Sequence, residues 1–133
     1  MNDNRQFKEV LVVQQLYFHP AWDKTISEQD RLAIEQLFDE TYTEVDDTVM
    51  SPVFRTAVNH KGELLVTVLV HNFTHRALRF SKRDILLISG DNVHEQTVSI
   101  PDFTVPAFTS MPWTFMFQDV AFDSNDKIVL EIL

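Results

Sequence analysis

Five histidines, His19, His60, His71, His75 and His94, are the residues of this chain best suited to chemistry, since an imidazole can carry a proton or hold a metal near neutral pH. His71 and His75 are four apart, which would put both rings on one side of a helix. They fall instead at the end of an apolar strand pattern and in the loop beyond it. His94-Glu95 is followed by Gln96-Thr97-Val98, so the HExxH pair of zinc hydrolases is absent. Hairpin folding could gather His60, His71 and His75 around a metal, the basis of a third reading as a metal-dependent enzyme. No ligand spacing is met, and the expectation is no metal. The absence of cysteine removes disulfides, thiolate nucleophiles and Cys-ligated zinc or iron–sulfur clusters. The only two glycines, Gly62 and Gly90, both sit in turn contexts, so a phosphate-cradling loop or dinucleotide fingerprint cannot be built. No serine occupies a nucleophile elbow, and the many carboxylates stand in no defined acid–base frame. The expectation is a chain with no catalytic residue and no cofactor.

Binding remains. Trp22, in the proline-containing stretch His19-Pro20-Ala21-Trp22-Asp23, could anchor a partner or stack on a sugar; plugging an end of the fold is the plainer role. Trp113 opens an aromatic strand and reads first as core. The two indoles support a second reading, a glycan-binding sandwich. Arg76, Arg79, Lys82 and Arg83 form a basic run. It is either a solvated surface or a docking strip for an acidic partner, or for the chain's own acidic segment. Asn72-Phe73-Thr74 matches a glycosylation sequon, expected to be a chance match.

The elements that must position these residues read mostly as strands. Residues 8–17 are rich in β-branched and aromatic types and predict a first strand. A loop over 19–23 leads to a helix at about 28–40, with Ser27 as N-cap and Ala33, Ile34, Leu37 and Phe38 as its apolar stripe. Thr25 with Glu28 is a second frame for the same start. Residues 39–47 form an acidic connector without the alternating ligands and glycine of a calcium loop. From residue 51 onward every element reads as strand. Val53–Asn59 pairs with Glu63–His71 through a turn at Asn59-His60-Lys61-Gly62, and Leu64–Val70 is apolar on nearly both faces, as a central strand should be. Residues 78–80, 85–88 and 93–100 follow, with a turn at Ser89-Gly90-Asp91-Asn92, then a loop between Pro101 and Pro106. Trp113, Phe115 and Phe117 share one face of the next strand, residues 128–133 close the chain, and prolines are placed at strand borders. About seven strands at this spacing predict an immunoglobulin-like antiparallel β-sandwich with one α-helix inserted after the first strand. The whole of residues 1–133 reads as one domain.

The formal net charge of −9 excludes nucleic acid as the expected partner, because phosphates need a basic surface. The charge is uneven: residues 1–50 carry net −7 and residues 51–133 net −2. The run Val10-Leu11-Val12-Val13 is too short for a signal-peptide core, and no stretch is long enough to insert in a membrane. Together with zero cysteines, this predicts a cytoplasmic protein.

Phe18-His19-Pro20-Ala21-Trp22-Asp23 followed by Ile26-Ser27-Glu28-Gln29-Asp30 resembles the opening of the SLAP domain. That domain occurs in Gram-positive bacterial proteins linked to S-layer assembly and the accessory Sec secretion route. The strand Val66–Asn72 and the run Pro112-Trp113-Thr114-Phe115 are similar to its central strand and closing aromatic motif, so the resemblance spans roughly residues 16–118. The family's namesake carries two such domains where this sequence shows one, and the family favours a proline-containing connector after the helix where this sequence has an acidic one. The resemblance implies a non-catalytic accessory module acting by protein contact. A secretion component or an exported client would be its partner, and His19, Pro20 and Trp22 its motif residues.

Overall fold

The computed structural model describes residues 13–120 and 126–133. Among these described residues, ten strands and two helices follow one another: β1 (Gln15–Leu16), α1 (Pro20–Asp23), α2 (Glu28–Thr41), β2 (Thr48–Met50), β3 (Arg55–Val58), β4 (Leu64–Asn72), β5 (Leu78–Arg79), β6 (Arg83–Ser89), β7 (Asn92–Val98), β8 (Thr104–Val105), β9 (Thr109–Phe117) and β10 (Ile128–Ile132). One sheet runs β1-β9-β4-β2, with β3 also on β4; a second runs β10-β6-β7; β5 and β8 form a small third. The architecture is a mostly-β sandwich.

β4 is the hub because it is apolar on both faces. Val66, Val68 and Val70 point into the core, while Leu69 and His71 on the opposite face are equally buried. The inner valines meet Phe115 and Phe117 of β9, Ile85 and Leu87 of β6, and Ile128 and Leu130 of β10 in one continuous cluster. An aromatic stack, Phe80 on Phe103 at 5.0 Å and Phe103 on Trp113 at 4.2 Å, closes one side of it. On the outer face of the first sheet lies α2. Ile34 is buried, and Ala33, Leu37 and Phe38 are half-buried, as the helical stripe predicts. Ser27 Oγ accepts the amide of Asp30 at 3.0 Å, satisfying one free helix-start donor. Thr25 is not the cap; its hydroxyl donates to the Ala21 carbonyl.

Both tight turns form where the glycines stand. Gly62 (φ 80°) and Gly90 (φ 58°) occupy the left-handed region that side chains disfavour. Asn59 braces the first turn by accepting the amides of Lys61 and Glu63.

Several expectations need correction. The first strand is only Gln15–Leu16, with residues 8–12 outside the described part, and it pairs parallel with β9. Residues 20–23 form a helical turn instead of a loop, because His19 and Pro20 start it together. The helix α2 continues to Thr41, and the acidic connector then ends in a strand, β2, because Met50 has core to fill. A short strand, β8, also forms inside the expected loop between Pro101 and Pro106.

Pro112 sits inside β9, not at its border. Leu69, its partner on β4, turns its amide and carbonyl to Ser51 at 2.9 Å on the other side. The Leu69–Pro112 pair therefore exchanges no hydrogen bond, and the missing proline N–H faces away from β4.

Candidate functional site

The His-Pro-x-Trp stretch is a capping device. His19 Nδ1 accepts the amide of Ala21 at 3.1 Å, Pro20 takes the first helical position, where no N–H is needed, and the His19 carbonyl receives Trp22 and Asp23. The imidazole also meets Trp113 edge-on at 5.5 Å. Arg31 of α2 then bonds Asp23 at 2.8 Å and lies 4.6 Å over the Phe18 ring. These contacts tie the crossover to the sandwich. Trp22 is half-buried on α1, and Trp113 is covered by the Phe103 ring, so its face is not open for a sugar to stack on.

A polar cluster that sequence reasoning missed lies beneath α2. Thr41 Oγ1 donates to the Leu37 carbonyl at 2.7 Å, so its one proton is used and it must accept from His71 Nε2, also at 2.7 Å. His71 Nδ1 is then the acceptor for the Ser110 hydroxyl at 2.6 Å, and Ser110 Oγ accepts from Gln14 Nε2 at 3.1 Å. Gln14 also donates to the Asn72 carbonyl at 3.0 Å. The chain of donors runs one way and fixes a neutral, Nε2-protonated imidazole. Burial agrees, pulling the His71 pKa from 6.5 down to about 4. The serine–histidine distance would suit nucleophilic catalysis, yet Ser110 is 0% and His71 1% exposed. A substrate has no path to the pair. Its work is to join α2, β4, β9 and Gln14, the residue that leads into β1.

The other sequence candidates separate. His60 and His75 are exposed and His71 is buried under the helix, so the three are not gathered; no group of metal-ligating side chains forms among the described residues. Asn72 is fully buried and cannot carry a glycan. Its Oδ1 accepts from both the amide and the hydroxyl of Thr74, and its Nδ2 donates to the Arg76 carbonyl at 2.6 Å. The sequon is an Asx turn that shapes the loop leading to the basic run.

That run is a surface. Arg76, Arg79 and Lys82 are exposed and Arg83 is half-buried. The ion pairs among the described residues are Arg31–Asp23 and Arg55–Asp30, so none of the four cations has a carboxylate partner there. Arg79 borders a recess of about 270 Å³ whose floor includes Phe80, Ile100 and Phe103. Lys82 holds φ 51° with its amide on Ser99 Oγ at 2.9 Å. The signal for this site was in the sequence; the recess, assembled from β5, β8 and the loop between β7 and β8, was not.

No curated protein and no solved structure matches the chain. The family model described as the SLAP domain matches residues 16–130, which takes in the capped crossover, the buried hub strand and the aromatic strand described above. Over most of its length, therefore, this chain is a SLAP domain, and it belongs to that family.

Proposed function

We propose that the chain is a non-catalytic protein-interaction module of accessory Sec-dependent secretion or surface-protein assembly. It works on the cytoplasmic side by holding an acidic segment of a secretion component or exported client. Family membership supports the setting. The observation that carries the mode of action is the strip Arg76, Arg79, Lys82 and Arg83, left without carboxylate partners among the described residues of a chain whose net charge is −9. In a protein so rich in acids, a basic strip with no carboxylate partner among the described residues favours an external one. Lys82 adds to this: glycine would fit its left-handed backbone at lower cost, and what the lysine supplies there is charge.

The test is a crosslinked pull-down from source cells with the wild-type chain and an Arg79→Glu/Lys82→Glu variant, across several salt concentrations. The expected result is a specific partner bearing an acidic segment, held by the wild type and lost from the variant. Equal recovery by both, or nothing above background, removes the reading.

A further inference from the structure

A second concavity, on a different part of the surface, has the opposite character. It encloses about 320 Å³ where the chain leaves α2, and Tyr42, Val45, Phe73 and Phe108 line it beside Glu44 and Asp46. The aromatic side is ordered: Tyr42 meets Phe73 edge-on at 5.7 Å, and Phe73 stacks on His71 at 4.9 Å. Tyr42 and Val45 nevertheless remain exposed, at 46% and 44%. Glu44 and Asp46 form no ion pair among the described residues. Tyr42 is also the C-cap of α2, whose last turn holds no basic residue, so the negative end of the helix dipole is left uncompensated beside the groove. Beneath the floor, His71 is neutral and offers no competing positive charge. Phe108 holds φ 52°, a conformation that bulky residues rarely accept, and there it supplies an aromatic wall.

We infer that this groove docks a short basic segment of a partner polypeptide, with a lysine or arginine between Glu44 and Asp46 and over the Tyr42 ring, and a neighbouring large apolar side chain against Phe73 and Phe108. A cation here gains from the carboxylates, the helix end and the aromatic face together, while the apolar neighbour covers exposed hydrocarbon. The inference does not depend on the basic strip and stands if that proposal fails.

The experiment uses the full chain and a fluorescein-labelled synthetic octapeptide in which lysines flank a phenylalanine, read by fluorescence anisotropy. Saturable binding is expected, weakened at least tenfold by Glu44→Lys/Asp46→Lys and several-fold by Tyr42→Ala, with the thermal unfolding midpoint of each variant as folding control. The Arg79→Glu/Lys82→Glu variant should bind as the wild type does. No saturable binding at millimolar peptide overturns the inference, as does equal affinity for the folded Glu44→Lys/Asp46→Lys variant. The stretch before Gln14 carries Arg5, Phe7 and Lys8, chemistry of the same kind. Tenfold tighter peptide binding by an Arg5→Glu/Lys8→Glu variant would make that stretch the occupant and overturn the partner reading.

Discussion

At the scale of single residues, His71 is the group whose protonation the fold resists most clearly. Its neutral form satisfies Thr41, Ser110 and Gln14 in one direction, and a second proton on Nδ1 would face the Ser110 hydroxyl donor. The folded pKa, about 4, lies below the ordinary 6.5. Protons therefore bind the unfolded chain more readily between those values. The stabilising contribution is full above pH 6.5 and is lost as pH falls toward 4, amounting to about 3 kcal/mol over the window. Urea unfolding at a series of pH values should show this decline. His71→Phe should be less stable at pH 7 by roughly 1–3 kcal/mol, since it leaves the buried Ser110 hydroxyl proton without its acceptor, yet its stability should change much less between pH 6.5 and 4. Parallel curves for the two proteins would mean that the imidazole does not titrate as its burial implies.

At the scale of elements, α2 is held by its cap and by one stripe of side chains. Ser27→Ala removes the acceptor for the Asp30 amide and should cost about 1 kcal/mol. Ile34→Ala opens a cavity against β4 and should cost about 2–5 kcal/mol. Chemical denaturation measures both, and a larger loss from the cap than from the core residue would contradict the packing described. This helix was legible in the sequence because its signals are local: a serine before the first turn and apolar residues at helical spacing. β4 was legible because an unbroken apolar run needs cover on two sides, and the basic run because its four cations fall within eight residues. β2 was not, since three residues after an acidic stretch carry no period, and Met50 shows its role only once β4 lies beside it. The parallel pairing of β1 and the hydrogen bonds joining Gln14 to Ser110, 96 positions apart, depend on register between distant strands. Neither surface concavity could be read from one segment, because each is walled by residues far apart in the chain.

At the scale of the whole molecule, the two proposed docking surfaces have opposite sign on a body whose net charge is −9. An acidic peptide approaching the basic strip meets a repulsive field at long range and an attractive one only near contact. A basic peptide approaching the Tyr42 groove meets attraction throughout. Salt separates the two cases, because the Debye length shrinks from about 30 Å at 0.01 M to about 10 Å at 0.1 M, so distant charges are screened before contacting ones. Stopped-flow association rates should therefore fall steadily with salt for the lysine–phenylalanine octapeptide. For a glutamate-rich peptide of equal length, the rate should rise or hold to roughly 0.1 M and fall beyond it, as the contact charges themselves become screened. A steep decline for both peptides from the lowest salt would show that the approaching ligand senses only the local strip. The acidic half of the chain would then have no part in selecting what docks at Arg79 and Lys82.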